Sequence, residues 1–157
     1  MRASIWKVCN TCENSSIKET IARAHAYDTL LVQKGRYREF EILVDKPLVI
    51  RGIGYPIVDG EKKGEIFRVT SDHVTLDGLF IVNVGVSYTK DNAAIRVIQS
   101  KNFQIKNMVL EQLFFGIYLE KSSHGKVYHN RIIGEAVDEY NSGNGIQLWY
   151  SSDIEVL

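Results

Sequence analysis

The residues equipped for chemistry fall into three groups. The first is a pair of polar segments, one carrying Ser87, Tyr88, Lys90, Asp91 and Asn92, the other Asp138, Glu139, Tyr140, Asn141 and Asn144. Two tyrosines among acids, amides and a lysine combine apolar ring faces with donors and acceptors. That equipment suits a polar or carbohydrate ligand, or a protein partner. Ordinary polar loops whose tyrosines pack on the protein body would carry the same residues, so both readings stay open. The second group is Cys9-Asn10-Thr11-Cys12. A pair at this spacing forms a disulfide, half of a metal site or a redox couple. No second Cys/His cluster with zinc-like spacing completes a tetrahedral set, which favours a local disulfide or two idle thiols. The third group is His73, His124 and His129. With Cys9 and Cys12, His129 is chemically able to ligate a transition metal, although a structural role suits each of the three better.

Catalysis needs more than this list. Asp91 with Asp138 and Glu139 is the one candidate carboxylate cluster. A separation of two structural repeats would put its members roughly 10 Å apart, at the edge of the spacing used by inverting glycosidases and beyond that of retaining ones. No single segment concentrates the oxygens that calcium requires. The expectation is therefore no catalytic residues, with a polysaccharide lyase or hydrolase as the runner-up.

What must position these residues is an internal repeat. Aligned on Ser71, Ser100, Ser122 and Ser151, apolar residues recur in columns. Three positions on stand Val74, Phe103, Gly125 and Ile154; five on, Leu76, Ile105, Val127 and Val156; ten on, Ile81, Leu110 and Ile132. Five positions before each serine are Ile66, Ile95, Ile117 and Ile146. Three before are Val97, Leu119 and Leu148, with Arg68 breaking the column unless Val69 fills it by a one-residue slip. The serine spacings are 29, 22 and 29 residues.

Apolar positions alternating at period two mean strands with one buried face. Each unit reads as two such segments separated by a polar corner. The period is too short for a helical crossover, and strands this short cannot bury a face alone. Stacked coils, each strand pairing in parallel with its copy one coil away, solve both problems. A leucine-rich repeat has a similar period, but its asparagine column is missing. The predicted fold is all-β: a right-handed, single-stranded parallel β-helix. The serines and the polar column His73, Asn102, His124 and Asp153 read as coil corners.

The two long intervals both expand after the same strand column, following Ile81 and Ile132. Their extra residues should leave one corner of the solenoid two coils apart, and insertions on one face are the usual binding surface of such folds. Before the repeats, Ser16-Ile17-Lys18-Glu19 has the form of a capping box, with Ile17, Ile21 and Ala24 on one helical face. One domain over 1–157 follows: an N-terminal segment 1–14, an amphipathic capping helix 15–27 and coils over 28–157. Turns are expected at Lys34-Gly35-Arg36 and Asp45-Lys46-Pro47. Ending on Val156-Leu157 predicts either an N-terminal portion of a longer chain or self-association through the open last coil.

Lys plus Arg and Asp plus Glu both number 19, so the formal net charge is zero. Nucleic-acid binding, which needs a basic surplus, is not expected. Neither is a membrane span, since no apolar run reaches about 18 residues.

Several stretches carry a family resemblance. They are the cap Ser16-Ile17-Lys18-Glu19-Thr20-Ile21, then Asp28-Thr29-Leu30-Leu31-Val32, Asp45-Lys46-Pro47-Leu48 and Tyr55-Pro56-Ile57-Val58-Asp59-Gly60. More specific are Phe115-Gly116-Ile117 and the run from Glu139-Tyr140-Asn141 through Gln147-Leu148-Trp149. From about Val8 onward the chain resembles the NosD family of nitrous oxide reductase maturation proteins, β-helices of the carbohydrate-binding and sugar-hydrolase (CASH) repeat type. The resemblance implies a periplasmic, non-enzymatic accessory role. It implies work with ABC-type transporter components and nitrous oxide reductase, whose copper centre is being assembled, so copper becomes a possible ligand. No copper-binding motif carries over to numbered residues here.

Overall fold

Strands of two to six residues have too little area to be stable singly, and the chain gains stability by laying each on its predecessor. The computed structural model describes residues 2–87, 89–134 and 144–157. Strand β1 (Ile5–Val8) and helix α1 (Ile17–Arg23) come first. Five coils follow, each of three strands. They are β2 (Thr29–Val32), β3 (Arg36–Arg38), β4 (Ile42–Val44); β5 (Val49–Gly52), β6 (Ile57–Asp59), β7 (Phe67–Val69); and β8 (Thr75–Asp77), β9 (Phe80–Val82), β10 (Ala93–Ile98). The last two coils are β11 (Gln104–Lys106), β12 (Val109–Glu111), β13 (Phe115–Glu120); and β14 (Lys126–Tyr128), β15 (Arg131–Ile133), β16 (Ile146–Trp149), before a final β17 (Glu155–Val156).

Like strands stack into three parallel sheets. The first runs β1-β2-β5-β8-β11-β14-β17, the second β3-β6-β9-β12-β15 and the third β4-β7-β10-β13-β16. The fold is thus an all-β parallel solenoid with one short helix among the described residues. Each coil holds three strands rather than the two segments expected, because the column ten positions after the serine forms a strand of its own.

The register follows the columns. Leu76, Ile105, Val127 and Val156 are successive partners in the first sheet, as are Ile81, Leu110 and Ile132 in the second. Ile95, Ile117 and Ile146 occupy adjacent rungs of the third. The Ser71 repeat alone is out of step: Phe67 and Val69, not Ile66 and Arg68, pair with Ile95 and Val97. That slip buries Phe67 and Val69 and sends Arg68 outward.

Corners are tight and use left-handed backbone at non-glycine residues. His73, Asn102, His124 and Asp153 have φ of 57°, 57°, 55° and 55°, and Gln99, Lys121 and Tyr150 adopt 49°, 49° and 50°. Such conformations cost on the order of 1 kcal/mol each. Inter-rung bonds such as His73 N–H to the Lys101 carbonyl (3.0 Å) offset that cost. His73 and His124 are therefore corner residues, as their column implied.

Three of the four serines knit the rungs. The Ser122 hydroxyl oxygen accepts from Ser100 N–H (3.2 Å), and Ser151 Oγ accepts from Ser122 N–H (3.2 Å). The bonds run from hydroxyl to backbone, not hydroxyl to hydroxyl. Ser71 lies outside this chain, its hydroxyl donating to the Asp72 carbonyl. Ser122→Ala would leave the buried Ser100 N–H without its acceptor and should cost about 1–2 kcal/mol. Ser71→Ala should be nearly silent. Urea unfolding of both variants tests the contrast, and equal losses would contradict it.

The N-terminal end departs from expectation in three ways. The segment before the helix contains β1, which pairs with the outer edge of β2. The helix spans Ile17–Arg23 rather than 15–27, and Tyr27 already has φ 71°. Ser16 Oγ does accept from Glu19 N–H (3.2 Å), but the reciprocal partner is Glu39. Its carboxylate accepts from Ser16 Oγ (3.0 Å), Ile17 N–H (2.8 Å) and Lys18 N–H (2.9 Å), placing an acid at the positive end of the helix. Ile17 and Ile21 are buried in the solenoid core. Arg36, expected in a turn, opens β3 instead.

Candidate functional site

Along the third sheet, the rows Ile42–Phe67–Ile95–Ile117 and Val44–Val69–Val97–Leu119 point inward and are fully or nearly fully buried. The residue between them must face out. It forms a second row in register, Leu43–Arg68–Arg96–Tyr118–Gln147, on rungs about 4.8 Å apart.

Segment 83–92, the first of the two expanded intervals, leaves β9 and returns into β10 beside this row. Ser87 Oγ accepts from Thr89 N–H (3.2 Å) and Lys90 N–H (3.1 Å), turning the chain back. The Asn92 side-chain NH2 donates to the Gly85 carbonyl (3.0 Å). A cleft of about 690 Å³ is bordered by Lys90, Asp91 and Asn92 together with Glu41, Lys63 and Gly64. Its floor includes Arg68, Arg96, Tyr118, Glu65 and Glu120.

The floor is held rigidly. Arg96, with only 13% of its side chain exposed, donates from Nε to Glu65 Oε1 at 2.5 Å. It also donates to the Asp91 carbonyl, which fastens the loop to the sheet. Its guanidinium carbon lies 4.4 Å from the centre of the Tyr118 ring, a cation–π contact. Arg68 engages the other oxygen of Glu65 through Nε and Nη2, each at 3.0 Å. Glu65 is thus clamped between two guanidiniums, both of its carboxylate oxygens engaged. Glu120 approaches Arg96 at 3.9 Å.

The structure therefore brings Lys90, Asp91 and Asn92 to one wall of a cleft. Tyr88, Asp138, Glu139, Tyr140 and Asn141 lie outside the described residues. The flanking strands β15 and β16 belong to the same sheets as β9 and β10. Sequence reasoning missed Glu65, Arg68, Arg96, Tyr118 and Glu120. A signal existed: the position four before Ser100, Ser122 and Ser151, between two apolar columns, holds Arg96, Tyr118 and Gln147.

The sulfur and imidazole candidates do not assemble a copper site. Cys9 and Cys12 are joined in a disulfide, the first of the alternatives the spacing allowed. His129 is an exposed corner residue (φ 56°) whose ring meets Tyr128 edge-on at 5.2 Å. It follows β14, five rungs of the first sheet from β1, so Cys9 and His129 stand roughly 24 Å apart along the stack. Among the described residues no group of three or more His, Cys, Asp or Glu side chains converges. No helix among them is long and apolar enough to cross a membrane.

A curated relative, the probable ABC transporter binding protein NosD of Pseudomonas aeruginosa, is 32% identical over 121 residues, or 76% of this chain. The matched stretch is 28% of that relative's own length. The chain is thus similar to a NosD protein across most of the solenoid. No family model and no solved structure matches it.

Proposed function

We propose that this solenoid is a non-enzymatic accessory protein of the NosD kind, acting in the periplasm beside an ABC-type transporter in assembly of the copper centre of nitrous oxide reductase. The observation that carries the reading is the 32% identity to a probable ABC transporter binding protein over coils whose outer face is a prebuilt cleft. The charged floor also supports binding over catalysis. Both oxygens of Glu65 are committed to Arg68 and Arg96, so it is not free to reach a substrate proton. Copper in this reading is cargo of the system, and no transfer step runs through Cys9, Cys12 or His129.

Deletion of the gene in its source should yield nitrous oxide reductase lacking its copper–sulfur absorption, restored by the wild-type gene. Affinity purification of the full-length protein should bring transporter components with it. Fully loaded reductase in the deletion strain would overturn the assignment. The competing reading is a polysaccharide lyase or hydrolase, which would show itself by release of unsaturated or reducing sugar ends.

A further inference from the structure

We propose that the outer face of the second sheet is a docking surface for an amphipathic α-helix of a protein partner, laid along the solenoid axis, apolar at its centre and acidic at both ends. The inference rests on the accessory reading only in taking a protein as the partner, and it concerns the second sheet rather than the cleft over the third.

The pattern comes from the register. Tyr37, Val58, Ile81, Leu110 and Ile132 are successive partners that pack into the core. The residues one position earlier must face out. They form the row Arg36–Ile57–Phe80–Val109–Arg131, one residue per rung. Three consecutive rungs thus turn Ile57, Phe80 and Val109 to the side where a solvated sheet carries polar residues. The outward rows Thr29–Val49–Thr75–Gln104 of the first sheet and Leu43–Arg68–Arg96–Tyr118 of the third never place two apolar residues on adjacent rungs. Strand propensity acts on all three sheets alike, so it does not explain the difference. Ile53 (44% exposed) and Tyr55 (48%), at the corner leading into β6, and Ile133 (36%) on β15 extend the apolar surface. A contiguous apolar patch with a charged rim has the form of an interaction site.

Spacing selects the occupant. Successive rungs lie about 4.8 Å apart. Apolar side chains on one face of a helix recur every 3.5 residues on average, or about 5.3 Å along its axis. An extended segment presents a side chain to one face about every 6.7 Å. Across three rungs the extended segment drifts by nearly 4 Å, about a whole rung, and the helix by only about 1 Å. A helix parallel to the solenoid axis therefore keeps three anchors, one each on Ile57, Phe80 and Val109.

Charge sets the ends. Arg36 and Arg131 stand four rungs apart, about 19 Å, which is the length of about 13 helical residues. Arg131 is exposed, and Arg36 keeps 44% of its side chain exposed while holding Asp59 at 2.6 Å. Carboxylates one turn beyond the apolar anchors, at each end of the helix, meet both guanidiniums. The same arrangement opposes pairing of two copies through this face. A two-fold axis along the strands would set Arg36 against Arg131 across the interface. One along the solenoid would set Arg36 against Arg38 and Ile57 against Asp59.

The test is fluorescence-anisotropy titration of the full chain with labelled helical peptides of about 15 residues. The probe carries leucine at three central positions of one face and glutamate one turn beyond them at each end. One control rearranges the same residues so that they leave that face, and another replaces both glutamates by lysine. The glutamate-ended peptide should bind at least about tenfold tighter than either control. Phe80→Ala, which removes the central anchor, should weaken it at least about tenfold. Arg131→Glu should weaken it about fivefold and strengthen the lysine-ended peptide by a similar factor. Lys106→Ala, on the outer face of the first sheet, should leave both unchanged. Far-UV circular dichroism and melting confirm that each variant is folded. No binding of the glutamate-ended peptide, equal binding of the rearranged one, insensitivity to Phe80→Ala, or no reversal with Arg131→Glu would each overturn the proposal. So would concentration-dependent dimerisation abolished by Phe80→Ala, which would give the face to a second copy. Peptide binding alongside fully loaded reductase in the deletion strain would keep the docking surface and remove the accessory role. Loss of the copper centre without peptide binding would do the reverse.

Discussion

Replacing Gly125 by valine should destabilise the solenoid by about 3 kcal/mol or more, the top of the range for overpacked cores. Gly125 shares a column with Val74, Phe103 and Ile154, three residues after the repeat serines. Its missing side chain is what the Phe103 ring occupies. A Cβ at Gly125 would stand 2.1 Å from Phe103 Cζ and 2.4 Å from Cε2, far inside van der Waals contact. Phe103 is 1% exposed, so the ring has no solvent-side rotamer to retreat to. The Gly125 φ is one that side-chain-bearing residues adopt, so the penalty is steric and not conformational. A large-and-none pair on adjacent rungs thus replaces two medium residues.

The same geometry predicts a rescue. Phe103→Ala alone should cost about 3–5 kcal/mol through its cavity. Combined with Gly125→Val, the new side chain enters that cavity, and the double variant should be more stable than the summed single losses by at least about 1 kcal/mol. Equilibrium urea unfolding of the four proteins measures the coupling. Simple additivity would mean that the ring and the glycine are not packed against each other as described.

The solenoid was legible in the sequence because stacking makes spacing equivalent to contact. Ile105 had to meet Leu76 and Val127 once the serines were aligned, and the pairing agrees. The column holding Arg68 was the weak point, and the one-residue slip through Val69 is the way the structure repairs it. Other features were hidden for physical reasons. A third strand per coil was invisible because Ile81, Leu110 and Ile132 give one buried position per rung, too few to display a period. The acid at the start of the helix is Glu39, at a distance in sequence no local capping motif can report.

For the site, the loops announced themselves by length, and Lys90, Asp91 and Asn92 indeed border the cleft. Its floor did not. Arg68, Arg96 and Tyr118 occupy outward strand positions, where polar residues are expected merely to be solvated. Only the pairing shows that Glu65, three residues before Arg68 on the same coil, also reaches Arg96 on the next coil.

Asp28→Ala should be the most damaging substitution near the N-terminal end, costing about 3 kcal/mol, because three donors converge on this buried carboxylate. Its Oδ1 accepts from Ser4 N–H (2.7 Å), and its Oδ2 from Trp6 Nε1–H (2.9 Å) and His25 N–H (2.8 Å). One side chain therefore ties the approach to β1, the chain leaving the helix and the start of β2. The bond from Ser4, then those from Trp6 and His25, hold the Asp28 carboxyl below the usual carboxylate range, against the opposing effect of burial. Asp59 is also lowered: burial raises it, but bonds from Asn83, Glu61 and Arg36 outweigh that.

A carboxylate whose folded-state pKa lies below its unfolded value stabilises the fold fully above the unfolded value, near 3.9. The contribution fades as pH falls from there through the folded value, since protonation then removes an acceptor that the donors need. Wild-type protein should accordingly lose stability steeply below about pH 4, and Asp28→Asn should start lower but decline more gently over the same window. Urea midpoints measured from about pH 7 down to about pH 3 compare the two slopes. Parallel curves would mean that the three donors gain nothing from the charge on Asp28.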